Sequence, residues 1–222
     1  MSIGKALILD FGGVVTRTLF ETHDLTENAL GLAPGTLAWR GPFDPSTDDL
    51  WVSMQAGRIS ERDYWTTRTR EVAALVGRPW TTMMEFVQAA RGTDAEHVLR
   101  PEARNAILAA KANGVRLAIL SNELDLFYGA AFRKSFPLID LFEAVIDATY
   151  TKILKPDPRA YQLCLDALSL PPGACVFVDD QKKNVDGARA VNIPAVHFDV
   201  TQPAKSYAEA LSLLGIKDMS NA

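Results

Sequence analysis

The sequence is poor in the features that mark secreted, membrane-bound and nucleic-acid-binding proteins. Only two cysteines occur among its 222 residues, Cys164 and Cys175, and each lies in an apolar stretch, which predicts buried, reduced thiols rather than a disulfide. Lysine and arginine total 23 against 27 acidic residues, so the net charge of -4 offers no basic surface for a nucleic acid. The apolar run before Asp10 is too short for a signal peptide or a membrane span. A cytoplasmic protein with no membrane or nucleic-acid partner is therefore expected.

Short apolar runs separated by helical patterns make up most of the chain. The hydrophobic fraction is 48%, which is typical of a packed globular protein. Amphipathic helices are predicted at 101–113, 158–168 and 204–214. Alternation of buried strands with helices favours an α/β fold with a doubly wound, Rossmann-like parallel sheet. The predicted strands are 6–9, 115–120, 144–146, 174–178 and 195–198.

The interval between the first two predicted strands is much longer than a simple crossover. Residues 16–99, here called the inserted segment, show helical patterns but no convincing strand. They hold all four tryptophans, Trp39, Trp51, Trp65 and Trp80. We predict a small helical domain with an aromatic core of its own rather than an aromatic ligand cage. Residues 1–15 and 100–222 are predicted to form the sheet domain.

Polar residues suited to a phosphoryl group follow four of the apolar runs. In an open α/β sheet such residues meet outside the carboxyl ends of the strands, where ligands bind. Pro156 disfavours a helical Lys155, and Asp157 caps a helix that Pro158 begins, which holds the lysine in a loop. Adjacent carboxylates such as those at 179 and 180 repel each other unless a cation lies nearby. The four clusters are Asp10 with Gly12 and Gly13, Ser121 with Asn122, Lys155 to Pro158, and Asp179 and Asp180 with Asn184.

In order and spacing, these clusters resemble the four motifs of the haloacid dehalogenase-like superfamily. The inserted segment is similar to the helical cap of that superfamily, placed just after the first motif. The resemblance extends over essentially the whole chain. It implies a Mg²⁺-dependent phosphatase that hydrolyses a small phosphorylated metabolite through an aspartyl phosphate. Whether the chain is a monomer or a homodimer stays open.

The resemblance also implies a role for each motif residue. Asp10 would be the nucleophile, Ser121 and the Asn122 backbone would bind phosphoryl oxygens, and Lys155 would neutralise charge on nucleophile and phosphate. An all-oxygen ligand set suits Mg²⁺, a hard cation. The implied ligands are Asp10, the Gly12 carbonyl and Asp180. Asp179 or Asn184 would bind the ion directly or lie beside its ligands, and Gly13 would lie beside the ligands.

The first motif departs from the phosphatase pattern at Gly12, where these enzymes normally carry a second aspartate that protonates the leaving group. Loss of a general acid typically costs on the order of a hundred- to ten-thousand-fold in rate. Acyl phosphates, whose leaving group needs little protonation, would suffer least. His97 and His197 are expected to be structural or surface residues. The candidates from the inserted segment are Glu21, His23, Asp24 and Asp44 as replacement acids, and Arg40 and Arg58 as substrate contacts.

Two other functions remain open. A 2-haloacid dehalogenase also uses an aspartate nucleophile and needs no acid for a halide, and Lys155 to Tyr161 would suit it. Metal-free dehalogenases have little use for an acidic pair such as Asp179 and Asp180, which argues against this function. A non-catalytic protein that binds a phosphorylated ligand would account for Gly12. The chain also resembles the phosphatase-like N-terminal domain of some two-domain epoxide hydrolases.

Overall fold

The computed structural model of the chain describes residues 4–91 and 95–216. Its centre is a five-stranded sheet made of β1 Ala6–Leu9, β2 Arg116–Ser121, β3 Ala144–Asp147, β4 Cys175–Asp179 and β5 Ala195–His197. Neighbouring strands are all parallel, in the order β3-β2-β1-β4-β5. The strand that leads into Asp10 therefore lies in the middle, with its end beside the ends of β2 and β4.

Helices connect the strands and cover both faces of the sheet. They are α1 His23–Leu30, α2 Asp49–Gln55, α3 Glu61–Leu75, α4 Met83–Arg91, α5 Ala95–Val98, α6 Pro101–Ala112, α7 Leu124–Phe127, α8 Gly129–Ser135, α9 Ala148–Thr151, α10 Pro158–Leu168, α11 Lys182–Ala190 and α12 Pro203–Leu213. Successive side chains of a strand point to opposite faces. Leu7 and Leu9 join the core beneath α6 and α12, whereas Ala6 and Ile8 join the core beneath α10 and α11. Burial on both faces explains why β1 is a continuous apolar run.

The predicted doubly wound α/β fold is confirmed. Every predicted strand is present, and the ends of strands and helices differ from the prediction by one residue at most. Cys164 and Cys175 are buried and free. No helix in the described part of the chain is both long and apolar enough to cross a membrane.

The inserted segment contains α1 to α5 and an aromatic cluster formed by Phe20, Trp39, Trp51, Tyr64 and Trp65. The rings meet mostly edge to face, with Phe20 at 5.3 Å from Trp51 and 5.5 Å from Trp65 between centroids. Trp80 lies outside this cluster and packs against Phe86. Buried side chains of the segment are continuous with the core on the α6 side of the sheet. Its definition as a separate domain stays a prediction.

The inserted segment leaves and rejoins the rest of the chain through two paired stretches of backbone. Thr16 and Leu99 form an antiparallel bridge. The Arg17 amide donates to the Val98 carbonyl at 2.9 Å, and the Arg100 amide donates to the Val15 carbonyl at 3.0 Å. This pairing fixes where the segment begins over the carboxyl ends of the strands.

Candidate active site

The carboxyl ends of β1, β2 and β4 bring the motif residues to one cavity. Asp10 directly follows β1, and its amide donates to the Val178 carbonyl at 2.9 Å, which ties it to the end of β4. Ser121 ends β2 and is buried. The cavity measures about 880 Å³, including the part that opens to solvent. All the predicted site residues line it: Asp10, Gly12, Gly13, Ser121, Asn122, Lys155, Asp179, Asp180 and Asn184.

The Lys155 ammonium lies at the centre of the site, between two carboxylates. Its Nζ donates to Asp10 Oδ1 and to Asp179 Oδ2, each at 2.6 Å, and to the Leu120 carbonyl at 2.7 Å. These three acceptors match the three N–H donors of an ammonium group. Burial alone would lower the pKa of Lys155, but Asp10 and Asp179 raise it above the usual value. The lysine therefore stays charged beside the nucleophile.

Asn122 positions the loop that carries Lys155. The Lys155 amide donates to Asn122 Oδ1 at 2.8 Å, and Asn122 Nδ2 donates to the Lys155 carbonyl at 3.1 Å. On the far side of the loop, Asp157 accepts from the Arg159 amide and caps α10, as predicted from the sequence. The Asn122 side chain is thus occupied by Lys155, which leaves only its backbone for a phosphoryl group.

Asp179 has all the hydrogen-bond partners that a buried carboxylate needs. Its Oδ1 accepts from the Gln181 amide at 2.8 Å and from Asn184 Nδ2 at 3.0 Å, while its Oδ2 accepts from Lys155. The residue is fully buried. This arrangement favours Asp179 as the group that holds Lys155 and not as a metal ligand.

Asp180 differs from Asp179 in having no partner for its carboxylate among the described residues. Burial, together with Asp179, Asp10 and Glu61, raises the pKa of Asp180 well above its usual range. Asn184 lines the same cavity, and its buried Oδ1 accepts no hydrogen bond from residues 4–91 and 95–216. An unpaired carboxylate and an unpaired amide oxygen beside Asp10 form a set that a hard cation would satisfy.

Side chains alone do not complete a metal site here. Across residues 4–91 and 95–216, no three His, Cys, Asp or Glu side chains are close enough to hold a metal ion by themselves. Mg²⁺ commonly binds through one or two carboxylates and keeps several waters. The residues present therefore fit Mg²⁺ if Asp10 and Asp180 supply the carboxylates and the Gly12 carbonyl supplies a further oxygen.

The nucleophile candidate, Asp10, is buried between charges of both signs. Burial raises its pKa most strongly, Lys155 lowers it and Asp179 raises it, with the result that the pKa of Asp10 is about 6. Two positive influences, Lys155 and a bound cation, would keep the carboxylate ionised and reactive near neutral pH.

A further carboxyl group, Glu61, faces the same cavity from the inserted segment. It begins α3, lines the cavity and is half-buried, and it has no hydrogen-bond or ion-pair partner among the described residues. Burial, together with repulsion by Glu123 and Asp10, raises its pKa to about 7. Sequence analysis missed this residue because residues 60–63 have the pattern of an ordinary helix start. The missed signal was that Ser60 and Asp63 pair with each other as a capping box, which leaves Glu61 without a local partner.

The four acids predicted from the sequence as replacements do not line the cavity. Glu21 accepts two hydrogen bonds from Arg100 and one from the Thr18 amide. His23 is buried against Trp39, and burial with the neighbouring Arg40 lowers the pKa of His23 to about 4. Asp24 and Asp44 are exposed on the surface. None of these four candidates therefore lies where it could serve as the acid.

The remaining predicted positions are also outside the cavity. Arg40 contacts His23 Nδ1, and Arg58 donates to Ser53. Neither arginine lines the cavity. His197 is exposed, and its Nε2 lies 3.0 Å from the Asp180 carbonyl oxygen, while His97 holds Arg17 through its own carbonyl. Both histidines thus occupy structural or surface positions.

Comparison with known sequences assigns the family. A sequence model of haloacid dehalogenase-like hydrolases matches residues 5–192, a span that contains every motif residue of the cavity. The chain belongs to the haloacid dehalogenase-like hydrolase family. It is accordingly an enzyme of hydrolase type.

Relatives of this haloacid dehalogenase-like hydrolase include proteins with two different reactions. Phosphatase MT3486 of Mycobacterium tuberculosis is 33% identical over 90% of this chain and 88% of its own length. (S)-2-haloacid dehalogenase 1 of a Pseudomonas species is 33% identical over 93% of this chain and 89% of its own length. Acyl-CoA dehydrogenase family member 10 of Mus musculus is 36% identical over half of this chain, which spans only 10% of that protein.

A solved structure supports the fold. The HAD phosphatase from Thermococcus onnurineus matches 96% of this haloacid dehalogenase-like hydrolase and 99% of its own chain, with a TM-score of 0.58 at 18% identity. Family membership fixes the architecture and the hydrolase class. The choice between the reactions of the relatives depends on the cavity itself.

Proposed function

We propose that the chain is a Mg²⁺-dependent phosphatase that hydrolyses a small phosphomonoester through an aspartyl phosphate on Asp10. The observation that carries the proposal is the contrast between two adjacent carboxylates. Asp179 is saturated by Lys155, Asn184 and a backbone amide, whereas the Asp180 carboxylate has no partner in the described part of the chain and lines the same cavity as Asp10. An unpaired carboxylate at this position is costly unless a cation binds there.

The chain's own residues account for the two chemical steps. Asp10 attacks phosphorus, and the bond from phosphorus to the leaving oxygen breaks, which forms the aspartyl phosphate. Lys155 and Ser121 stabilise the charge on the phosphoryl oxygens during this step. Water then attacks phosphorus, which releases phosphate and restores the Asp10 carboxylate. Mg²⁺, held by Asp10, the Gly12 carbonyl and Asp180, would supply further positive charge to the phosphoryl group.

The leaving oxygen needs a proton, and Gly12 has no side chain to provide it. The other carboxyl groups of the cavity lining already have a role or a partner: Asp10 and Asp180 are proposed metal ligands, Asp179 pairs with Lys155, and Glu123 pairs with Arg62. Glu61 is the carboxyl group of the lining that remains. Its raised pKa of about 7 keeps part of it protonated at neutral pH. We therefore assign to Glu61 the transfer of a proton to the leaving oxygen and the later removal of a proton from the attacking water.

Phosphate release with and without Mg²⁺ tests the proposal. The substrates are acetyl phosphate, simple alkyl phosphates and sugar phosphates, and the proteins are the wild type and the Asp10→Asn variant. Asp24→Asn serves as the matched control, because Asp24 is an exposed carboxylate outside the cavity. We expect metal-dependent release that disappears in Asp10→Asn and persists in Asp24→Asn. Equal release by wild type and Asp10→Asn, or no release from any substrate, would overturn the proposal.

A second candidate reaction is hydrolytic dehalogenation of a 2-haloacid. Gly12 favours it, because a halide leaves without a proton, and one relative of high coverage has this activity in its name. The unpaired Asp180 favours the phosphatase. Halide release from 2-chloropropionate in the presence of a chelator, with no phosphate release under Mg²⁺, would establish the dehalogenase.

A non-catalytic role as a phospho-ligand-binding protein makes a third, separate prediction. Saturable binding of a phosphorylated compound under Mg²⁺, with neither phosphate nor halide produced, would support it.

A cytoplasmic location and a monomeric or homodimeric state also belong to the proposal. The free thiols of Cys164 and Cys175 support the cytoplasmic location, which cell fractionation tests. Sedimentation measures the oligomeric state.

A further inference from the structure

The cavity lining has two chemically different parts. The part at the strand ends is polar and contains the proposed nucleophile, lysine and metal ligands. The other part, here called the apolar chamber, consists of aromatic and aliphatic side chains from the inserted segment and from α7. Its main members are Phe20, Trp51, Trp65, Met83, Leu124 and Phe127.

The aromatic members of the apolar chamber are held in fixed positions by their neighbours. Phe20 packs edge to face on Trp51 and lies against Trp65, and both tryptophans are half-buried, so part of each ring faces the cavity. Met83 is almost fully buried at the start of α4. A rigid apolar wall of this kind is typical of small-molecule sites that bind an apolar group.

Most of the polar side chains on this side of the cavity already have a partner within the chain. Arg91 donates to the Tyr128 hydroxyl at 3.0 Å and to the Arg17 carbonyl at 2.6 Å. Arg17 donates to the His97 carbonyl, and the Thr18 hydroxyl donates to Glu21 at 2.9 Å. Among the described residues, the Glu61 carboxylate of this region has no partner, and the Nε atoms of Arg17 and Arg91 also have none.

This distribution discriminates between classes of phosphate ester. A sugar phosphate would bring several hydroxyl groups into the chamber, and each buried hydroxyl without a partner lowers affinity by about 5- to 150-fold. An alkyl or aryl group placed there gains about fourfold in affinity for each buried methylene. The walls therefore favour an apolar organic group and disfavour a sugar.

We propose that the substrate is the monophosphate ester of an apolar alcohol or phenol, with its organic group packed in the apolar chamber between Phe20, Trp51 and Phe127. The inference rests on the proposed phosphatase function, because the phosphate has to lie at Asp10 for the organic group to reach the chamber. The leaving group is then an alkoxide or phenoxide, which takes its proton from Glu61.

A homologous series of substrates tests the inference. Phosphate release is measured under Mg²⁺ with ethyl, butyl, hexyl and octyl phosphate, with phenyl phosphate and with glucose 6-phosphate. We expect kcat/KM to rise by about threefold to fourfold for each added methylene until the chamber is full. Glucose 6-phosphate is expected to be no better than ethyl phosphate. A flat alkyl series, or a clear preference for the sugar phosphate, would overturn the inference.

Paired variants locate the effect in the chamber. Phe127→Ser and Trp51→Ser change lining residues, and their controls Leu126→Ser and Val52→Ser change exposed neighbours that do not line the cavity. The lining variants are expected to lower kcat/KM for octyl phosphate about tenfold more than kcat/KM for acetyl phosphate. The control variants are expected to leave both substrates unchanged. Equal effects of lining and control variants would contradict the placement of the organic group.

Binding without turnover separates failure of the inference from failure of the proposed function. Alkyl phosphonates, which are not hydrolysed, are titrated against the Asp10→Asn variant while tryptophan fluorescence is recorded. Affinity that increases with chain length, with the same series inactive as phosphate esters, would support the chamber and overturn the phosphatase. Phosphatase activity combined with chain-length-independent binding would overturn the chamber and keep the phosphatase.

Discussion

A Cβ atom placed on Gly13 would lie 2.9 Å from Oδ2 of Asp180, the carboxylate proposed to bind Mg²⁺. Gly13 also has a φ of +80°, which disfavours any other residue. Gly13→Ala is therefore expected to displace Asp180 and to lower Mg²⁺-dependent turnover by about a hundredfold, the size of effect that a misplaced catalytic group produces. Steady-state kinetics at several Mg²⁺ concentrations measures the loss.

Gly35→Ala is the control for this prediction. Gly35 has nearly the same φ, +81°, but it is exposed, and a Cβ atom there would meet nothing within 4 Å. The control carries the same backbone strain without the contact to Asp180. If both variants lost activity to the same degree, strain and not the position of Asp180 would be responsible.

A side chain at Gly12 is expected to raise turnover, in contrast to a side chain at Gly13. A Cβ atom on Gly12 would meet nothing within 4 Å, and its φ of -72° and ψ of 123° are open to any residue. Gly12→Asp would place a carboxyl group at the position where phosphatases of this family carry their acid. We expect turnover of alkyl phosphates to rise by about tenfold or more, with little change for acetyl phosphate, because only the former needs a proton donor. A fall for both substrates would show that the added charge disturbs the metal site.

Replacement of Glu61 tests its assignment as the proton donor. Glu61→Gln keeps the size of the side chain and removes the transferable proton. Turnover of alkyl phosphates is expected to fall by about a hundredfold, whereas that of acetyl phosphate stays within about twofold. The double variant Gly12→Asp with Glu61→Gln is expected to recover alkyl phosphate turnover. An equal loss on both substrates would indicate a structural role for Glu61.

The pH profile gives an independent signature of Glu61. A general acid works in its protonated form, so turnover of alkyl phosphates is expected to fall as pH rises through about 7. Glu123, Asp10 and Asp179 raise the pKa of Glu61, and Lys183 lowers it. The fall above pH 7 should disappear in Glu61→Gln. A basic limb that persists unchanged in this variant would assign it to another group.

The sequence allowed the fold and the strand-end residues to be predicted, but not the contributions that depend on tertiary packing. β1 is apolar along its whole length and ends at Asp10, so both its burial and the position of its carboxylate follow from local pattern. The pairing of Asn122 with Lys155 joins residues 33 positions apart and depends on how two loops meet. Glu61 reaches the cavity only because α3, packed against α2 and α4, begins at the cavity wall, which no local pattern specifies. The definition of 16–99 as a domain and the metal ligands stay predictions.

Replacement of the two neighbouring carboxylates at the end of β4 is expected to have different effects: loss of Asp179 lowers stability, and loss of Asp180 weakens Mg²⁺ binding. Asp179 and Lys155 are both fully buried, so Asp179→Ala leaves a buried ammonium with one carboxylate partner fewer. Removal of one partner of a buried ion pair costs about 3–5 kcal/mol, and we expect a loss near the lower value because Asp10 still contacts Lys155. Urea unfolding measures this change in the free energy of unfolding.

Asp180→Asn, by contrast, is expected to leave stability in the absence of metal unchanged or slightly raised, because it removes an unpaired negative charge beside Asp179 and Asp10. The Mg²⁺ concentration for half-maximal turnover should rise by roughly tenfold or more, as expected for the loss of a carboxylate ligand. Isothermal titration with Mg²⁺ separates affinity from turnover. If Asp179→Ala weakened Mg²⁺ binding more than Asp180→Asn did, the roles assigned here to the two carboxylates would have to be exchanged.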